Sequence, residues 1–553
     1  MLPDRVMKRL AAIGKLSQQG KRVKDLFRLM KYPALWLQAY ANLHANHGAT
    51  TKGVDAVTMD GFSMARVVNL IALLTQGRYR FKPSRRVYIP KASGTKTRPL
   101  GIPSGDDKLV QEMMRMLLER IYEPVFSADS HGFRRGRSYH TALECIRHTW
   151  TGMKWLLEVD IQSFFDTIDH DILIKLFEKK IDDRRFIKLI KAMLKAGYVE
   201  HWTYHHTYSG TPQGGVISPL LANIVLHERD GFMAEMQGRF NRGQRRARHP
   251  AYDHYTSHIY RLRRHITRMR GAGERDTPHI QAMQQQIKAL DKVRKSLPTG
   301  DPFDKGYRRL LYCRYADDFV IGIIGSLGEA KQVMAAVKEH LRCHLHLTVA
   351  EEKSGIRHAK DGVTFLGYTV RVCTGDRIRR VTIGHKHTTA RTVSQRMHLH
   401  IPVESVRRFS RGLGYGDYET LQPRHRPGLL SRSDVEIILT YNAEMRGLAQ
   451  YYSLAQGIRT NSGLEKLYRR WQYSLLKTLA AKHRTSTRKI ARQLRRGQDL
   501  SCAYQVKGKT AHLKVYSLRA LKKSAPRWGP VDLPPNTGVF TLGRTEIIQR
   551  LSA

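Results

Sequence analysis

The chain has 553 residues, of which 41% are apolar, enough to bury substantial cores in about three or more domains. It carries 96 Lys and Arg against 47 Asp and Glu, a formal net charge of +49. Such a charge repels itself unless a polyanion lies against it, so we expect a nucleic acid partner. The five cysteines form no C-x-x-C pair and no apolar run approaches the length of a membrane span, so we expect neither a zinc or disulfide framework nor a membrane association.

Residues 1–80 are predicted to form short helices that bind RNA, because "RVKDLFRLMKYPALWLQAYANL" places its apolar residues at helical spacing. The basic start "RVMKRLAAIGKLSQQGKRVK" is also compatible with an organellar transit peptide. From "YRFKPSRRVYIPKASGTKTRPLGIPS" onward, β-prone runs broken by Gly and Pro give way to alternating helices and strands. We therefore predict an α+β region over 81–375.

Inside that region lies a predicted basic insertion at about 230–305. It interleaves Arg with Tyr and His in "NRGQRRARHPAYDHYTSHIYRLRRHITRMR" and continues into the helical "IQAMQQQIKALDKVRKSL". A solvated charged helix is one interpretation, but Arg beside aromatic rings suits stacking and phosphate contact. We therefore expect RNA binding here, by Arg245, Arg246, Arg263 and Arg264.

Residues 376–433 are basic and irregular and are predicted to form a linker or arm. Residues 434–527 are predicted to form a separate domain that begins with a helical block from about Asp434 to Arg496. Within its "LEKLYRRWQYSLLKTLAAKHRTSTRKI" a set of apolar residues falls on one helical face: Leu464, Leu467, Tyr468, Trp471, Leu475 and Leu479. Basic side chains remain available to phosphates, at Lys477, Lys482, Arg484 and Lys489. An ordinary amphipathic bundle would show the same apolar stripe.

Two carboxylates interrupt the apolar, β-prone stretch "RYADDFVIG". Its flanking residues favour strands, so we predict a β-hairpin that presents Asp317 and Asp318 at its tip. A second acidic residue, Asp160, directly follows the predicted strand Trp155–Val159. Asp169 is predicted to be the N-cap of the next helix.

Clustered carboxylates raise one another's pKa at low dielectric, and a divalent cation relieves this repulsion. Two Mg²⁺ ions about 4 Å apart serve in-line phosphoryl transfer, and Mg²⁺ needs few protein ligands because it retains waters and substrate phosphates. An acidic hairpin turn is by itself more often structural. Together with the second strand-end acid and the charge of +49, it favours nucleotidyl transfer.

Several motifs occur in the order found in one family. They are "KASGTKTRPLGIPSGDDKLVQ", "SHGFRRGRSYHTAL", "LEVDIQSFFDTIDH", "GTPQGGVISPLLANIVLHERD", "RYADDFVIG" and "EEKSGIRHAKDGVTFLGY", followed by the helical "LTYNAEMRGLAQYYSLAQ". In these motifs the chain resembles the group II intron-encoded reverse transcriptases, also called maturases, of an organelle-like bacterial lineage. The resemblance implies a right-hand polymerase with α+β fingers and palm, followed by an α-helical thumb called domain X.

The resemblance also implies roles for individual residues. Asp160, Asp317 and Asp318 would be catalytic and would bind two Mg²⁺ ions, with the backbone carbonyl of Ile161 as a further ligand. Phe165 would be a steric gate that favours dNTP over rNTP, although a core aromatic is an equal alternative.

Further residues would form the dNTP site. Lys91 and Arg98 would contact the triphosphate, as cationic donors suit it. Gln213 and Gly214 would lie against the nascent base pair, where glycine permits close backbone approach. Lys353 would protonate the pyrophosphate, although a solvated surface lysine is the simpler interpretation.

The implied function is an RNA-directed DNA polymerase that copies intron RNA during retrohoming and a maturase that promotes splicing. Its partners would be group II intron RNA, target DNA and dNTPs, in a bacterial cytoplasm close to the nucleoid, with an organelle as the other location. The tail 528–553 contains neither His nor Cys, so we expect no HNH endonuclease. The alternatives are a non-catalytic RNA-binding splicing factor, and a related reverse transcriptase recruited to phage defence or CRISPR adaptation.

Overall fold

The computed structural model describes residues 3–521 except 47, 91–96, 202, 212–213, 275–276, 374–377, 384–385, 392–394, 421, 461–462 and 507–508. The predictions for Lys91, for Gln213 and for the tail 528–553 therefore lie outside the described residues.

The N-terminal region is helical, as predicted. Its elements are α1 (Asp4–Gln18), β1 (Val23–Lys24), α2 (Leu26–Leu29), α3 (Pro33–Leu43) and α4 (Met64–Thr75). Val6, Leu10 and Ile13 form a buried stripe on α1, and the Ser63 hydroxyl caps α4 by accepting a hydrogen bond from the Arg66 amide. This region joins the larger hydrophobic core of the molecule.

Strands and helices then alternate, as predicted for an α+β fold. They are β2 (Ser84–Pro90), β3 (Thr97–Ile102), α5 (Gly105–Tyr122), α6 (Tyr139–Thr149), β4 (Trp155–Val159), α7 (Phe164–Thr167), α8 (His170–Lys180), β5 (Ile181–Asp182), α9 (Arg184–Leu194), β6 (Tyr198–Glu200), β7 (Thr203–His205) and α10 (Ser218–Phe240). One four-stranded sheet has the order β3-β2-β6-β7, and we call it the fingers sheet. Asp169 caps α8 by accepting hydrogen bonds from the amides of Asp171 and Ile172, as predicted.

The predicted insertion begins later than expected. Helix α10 runs through Asp230 to Phe240, and Asp230 and Met233 are buried on it. The start at about residue 230 is therefore corrected, because this segment belongs to a core helix. Beyond it, α11 (Pro250–Gly271) and α12 (Pro278–Ser296) form a helical hairpin with a small core of its own around Ile266 and Ile280.

A second four-stranded sheet carries the predicted hairpin. The chain continues through β8 (Arg309–Tyr315), β9 (Asp318–Ile324), α13 (Leu327–Leu345), a 3-10 turn (Glu351–Lys353) and β10 (Gly355–His358). The strand order is β10-β4-β9-β8, and every neighbouring pair is antiparallel. We call it the palm sheet.

The segment predicted to be a linker or arm over 376–433 is instead largely ordered. The chain runs through β11 (Val363–Phe365), β12 (Tyr368–Val372), β13 (Ile378–Ile383), β14 (Lys386–Arg391), β15 (Met397–His400) and α14 (Val403–Gly412). Strand β15 pairs with β12, and Met397, Leu399 and Tyr415 are buried. The linker prediction is corrected here, because alternate residues of "MHLHI" point into the second core.

The C-terminal part is helical only at first. It contains a 3-10 turn (Pro427–Leu429), α15 (Asp434–Tyr451), α16 (Glu465–Lys482), α17 (Thr487–Leu494), β16 (Arg495–Arg496), β17 (Asp499–Val506), β18 (Lys509–Lys514) and a 3-10 turn (Leu518–Ala520). The helical block predicted from about Asp434 to Arg496 is present as α15, α16 and α17, and the three-stranded sheet β16-β17-β18, which was not predicted, follows it. The predicted apolar face of α16 is buried, with Leu467, Trp471 and Leu475 inaccessible to solvent.

Two large hydrophobic cores hold the described residues together. The first joins the N-terminal helices to α5, α8, α9, α10 and α13. The second joins α6 and one face of the palm sheet to β12, β15 and the thumb helices. Among the residues that the structure describes, no helix is long and apolar enough to cross a lipid bilayer.

Candidate active site

The three predicted catalytic acids lie at one edge of the palm sheet. The antiparallel register of β4 and β9 pairs Val159 with Phe319. Asp160 directly follows Val159, and Asp318 directly precedes Phe319. Both acids therefore lie at the same end of this strand pair, so the sheet brings together acids that are far apart in sequence.

The hairpin that carries Asp317 has a two-residue connection. Tyr315 pairs with Asp318, so Ala316 and Asp317 form the turn, and Ala316 has a positive φ of 55°, the conformation that tight hairpin turns require. Gly132 lies against this turn, where a Cβ atom on it would be 2.2 Å from the Ala316 amide nitrogen. The predicted hairpin with both acids at its tip is confirmed.

The surroundings of the hairpin acids disfavour their charged forms. Burial, followed by the negative charges of Asp317, Asp160 and Glu158, raises the pKa of Asp318 to about 7. The pKa of Asp317 is also raised, first by burial and then by Asp160, while Arg98 acts in the opposite direction. The site thus concentrates negative charge that is only partly compensated by the protein.

Lys353 is one compensating charge. Its Nζ lies 2.9 Å from Oδ2 of Asp160, and this hydrogen bond raises the pKa of Lys353. The backbone amide of Asp160 donates to the hydroxyl of Ser354 at 3.0 Å, which fixes the segment bearing Lys353 beside β4. The predicted lysine is therefore in the site rather than on an unrelated surface.

The three acids suit a divalent cation whose coordination shell is completed by ligands from outside the protein, such as waters and phosphate oxygens. In the described part of the chain, no group of three or more His, Cys, Asp or Glu side chains is arranged to hold an ion by itself. Mg²⁺ typically keeps several waters and substrate phosphate oxygens, so a few carboxylates at one sheet edge are sufficient. A cation there would also relieve the repulsion that raises the pKa of Asp318.

Two predicted nucleotide-site residues lie on or against strand β3 of the fingers sheet. Arg98 is exposed on β3, and its charge reaches Asp317. Gly214 has a φ of 102°, and a Cβ atom on it would lie 2.9 Å from the Gly101 carbonyl oxygen, so glycine is needed at this approach between fingers and palm.

Phe165 is half-buried on α7, with its ring centroid 5.5 Å from that of the buried Phe164. Phe164 points into the first core, which leaves Phe165 at the margin of that core. The Phe165 carbonyl oxygen accepts a hydrogen bond from the Thr211 amide at 2.7 Å. This position is compatible with the predicted steric gate. Ile161, whose carbonyl was predicted to be a ligand, has a buried side chain and bridges to Val349.

A buried ionic network behind the hairpin was not predicted from the sequence. Arg314 donates to both carboxylate oxygens of Asp230, at 2.9 Å from Nε and 2.6 Å from Nη2. Its Nη1 donates to Asn223 Oδ1 at 2.8 Å and to the carbonyl of Ala316 at 3.2 Å. The network therefore fastens the turn that bears Asp317 to helix α10. The sequence feature that could have indicated this network is a charged residue within or beside an apolar run, as for Asp230 in "LHERD" and Arg314 in "YCRY".

The predicted RNA-contacting residues lie away from the palm acids in sequence and differ in accessibility. Those with exposed side chains are Arg245, Arg263, Arg264, Lys477, Arg484 and Lys489. Arg246 donates to the Gly152 carbonyl at 3.3 Å, so it also fastens the insertion to the palm. Lys482 is 2.7 Å from Asp434 Oδ1, and its charge is therefore partly neutralised within the thumb.

Comparison with known proteins gives two family matches and several relatives. Residues 89–240 match the family model for reverse transcriptase (RNA-dependent DNA polymerase), and 394–524 match that for type II intron maturase. The group II intron-encoded protein LtrA of Lactococcus lactis is 38% identical over 90% of this chain and 82% of its own length. The putative COX1/OXI3 intron 1 protein of Saccharomyces cerevisiae is 33% identical over 84% of this chain and 54% of its own. Protein YkfC of Escherichia coli is 33% identical over 66% of this chain and 87% of its own.

Proposed function

The chain belongs to the group II intron-encoded proteins that combine a reverse transcriptase with an intron maturase, and from this premise we propose how its residues carry the reaction. Reverse transcriptases depend on divalent metal ions, and we assign two Mg²⁺ ions to Asp160, Asp317 and Asp318, with the Ile161 carbonyl as an additional ligand. The observation that carries this assignment is the pairing of Val159 with Phe319, which brings Asp160 and Asp318 to the same end of β4 and β9. When bound, the ions would activate the primer hydroxyl and neutralise the leaving pyrophosphate.

The protein's own groups position the incoming dNTP. Arg98 and Lys91 on the fingers supply positive charge for the triphosphate, and Phe165 limits the space beneath the sugar. Gln213 and Gly214 lie along the nascent base pair. Lys353, now paired with Asp160, is suited to give a proton to the pyrophosphate once the acids are neutralised.

The same chain binds its intron RNA as a maturase. We assign these contacts to the N-terminal helices, to the α11–α12 hairpin through Arg245, Arg246, Arg263 and Arg264, and to the thumb through Lys477, Lys482, Arg484 and Lys489. The template would be the intron RNA and the product strand would enter a target DNA. Because many phosphate contacts release many counterions, RNA affinity should fall steeply between low and physiological salt.

The test is primer extension on an RNA template, with splicing of the intron RNA measured in parallel. Asp317→Asn/Asp318→Asn should abolish extension yet preserve RNA binding and splicing, because the acids repel rather than bind the polyanion. Asp361→Asn, an exposed acid in a palm loop, is the matched control and should extend normally. A wild-type protein that binds RNA and promotes splicing but never extends a primer would instead be a non-catalytic splicing factor.

A further inference from the structure

A row of aromatic rings lies on the edge strand of the fingers sheet and in the segment that follows it. Tyr204, His206 and Tyr208 occupy alternate positions, so their side chains share one side of an extended backbone. The ring centroids of Tyr204 and His206 are 4.8 Å apart, and those of His206 and Tyr208 are 6.1 Å apart. Tyr208 is 87% exposed and Tyr204 is 45% exposed. We call these three residues the ring ladder.

Positive charge lies beside one end of the ring ladder. A cavity of about 420 Å³ next to Tyr204 is lined by Arg80, Lys188 and Lys195, and no acidic residue lines it. A volume of this size suits a small ligand such as a nucleotide. Ammonium and guanidinium groups beside exposed rings form the combination that single-stranded nucleic acid sites use.

A second cavity of about 440 Å³ lies at the other end, and Lys195 lines both. His206 and Tyr208 form part of its wall, together with Asp169 and Asp171. The carboxylate of Asp169 already caps α8 and lies 2.8 Å from His346 Nδ1. The two cavities and the rings between them make a continuous surface track.

The segment after the ring ladder joins it to residues of the proposed polymerase site. The Gly210 amide donates to the Ile168 carbonyl and the Thr211 amide to the Phe165 carbonyl, each at 2.7 Å. The chain is thereby fixed against α7 just before Gly214. The ring ladder is therefore anchored beside Phe165 and close in sequence to Gly214, the residues proposed to contact the incoming nucleotide and the nascent base pair.

We propose that the ring ladder stacks the unpaired bases of the template RNA ahead of the base being copied, while Arg80, Lys188 and Lys195 contact its phosphates. This rests on the proposed polymerase function. Aromatic stacking accepts every base, as a template of arbitrary sequence requires. A protein partner would favour a continuous apolar patch over exposed rings beside a cavity lined by Arg80, Lys188 and Lys195.

The test compares primer–template duplexes with a short or a long unpaired 5′ template extension, of roughly one or eight nucleotides. Affinity is measured by fluorescence anisotropy without dNTPs. Tyr204→Ala/Tyr208→Ala should weaken binding of the long extension about tenfold or more, with no change for the short one. Tyr208→Phe, which keeps the ring, should bind like wild type. The matched control is Leu327→Ala, which removes an apolar side chain that is 41% exposed at the start of α13, outside the regions assigned to RNA contact.

Two outcomes would overturn the proposal. One is unchanged affinity of Tyr204→Ala/Tyr208→Ala for the long extension, which would leave the rings to another partner. The other is an equal loss on both templates, which would indicate a structural role for the rings. The binding assay does not require nucleotide incorporation. A failure of primer extension would therefore contradict the polymerase assignment, while the affinities for the long and the short extension would still test the role of the rings.

Discussion

The buried pair Asp230–Arg314 should be among the most sensitive positions of the molecule. Asp230 accepts hydrogen bonds from Tyr312 Oη at 2.8 Å and from Arg314 at 2.6 and 2.9 Å. Burial alone would raise the pKa of Asp230, but Arg314 outweighs it and the pKa lies below its ordinary value. The Asp230→Asn change keeps the shape but removes the charge that faces two fully buried guanidinium groups, Arg229 and Arg314.

Removing one partner of such a buried pair costs about 3–5 kcal/mol, because the other charge is left uncompensated. The control on the same helix is Glu235→Gln, which breaks an exposed pair with Arg239 and should change stability by less than about 0.5 kcal/mol. Urea unfolding followed by fluorescence measures both. Equal stability of the two variants would refute the reasoning.

A second variant separates stability from positioning. Arg229→Met/Asp230→Leu/Arg314→Met replaces the acid and both buried guanidinium groups by apolar groups, which often restores stability. It also removes the Arg314 hydrogen bond to the Ala316 carbonyl, so primer extension should stay low even where stability recovers. Full recovery of extension in this variant would show that the hairpin turn does not need Arg314.

Three further predictions concern single positions. Gly132→Ala would force a Cβ atom against the Ala316 amide, so extension should fall at least about tenfold in a steady-state assay while RNA binding persists. Burial lowers the pKa of His140 from near 6.5 to about 4, so between these values the unfolded chain binds a proton that the folded chain does not. Lowering the pH from 7 to 4.5 therefore destabilises the wild type through His140, and urea unfolding at both pH values should show that His140→Gln reduces this loss of stability by about 2 kcal/mol. Phe165→Ala should raise the ratio of rNTP to dNTP incorporation about tenfold or more, and an unchanged ratio would assign Phe165 to the core.

The sequence was sufficient for features that depend on local pattern. Alternating β-prone residues around Asp317 and Asp318 predicted the hairpin, and helical spacing predicted the buried face of α16, including Trp471. The placement of Asp160 and Asp318 at the same end of two neighbouring strands could not be predicted from spacing, because it depends on the order and register of the palm sheet. The close approach of Gly132 to Ala316 likewise exists only in the folded chain.

The errors arose where charge obscured a short apolar pattern. In "MHLHI" the residues Met397 and Leu399 alternate with histidines, a two-residue period that predicts a half-buried strand, but the surrounding basic stretch favoured a linker. In "LSCAYQVKGKTAHLKVY" two β-prone runs flank a Gly-containing turn, the pattern of a hairpin. The prediction of a helical block ended at about Arg496 and did not include this hairpin.

The reverse transcriptase and maturase regions share a core, which limits how their activities can be separated. Cys313 and Val320, on the back of the hairpin that carries Asp317 and Asp318, belong to the same buried cluster as Trp471 in the thumb. His140 on α6 hydrogen-bonds the Tyr451 carbonyl on α15 at 3.0 Å. Removing the thumb would therefore uncover the apolar support of the hairpin and impair polymerisation through the fold rather than through RNA contact. Substitutions of exposed basic side chains leave this core intact, so they are the means to remove RNA recognition while the catalytic acids stay in place.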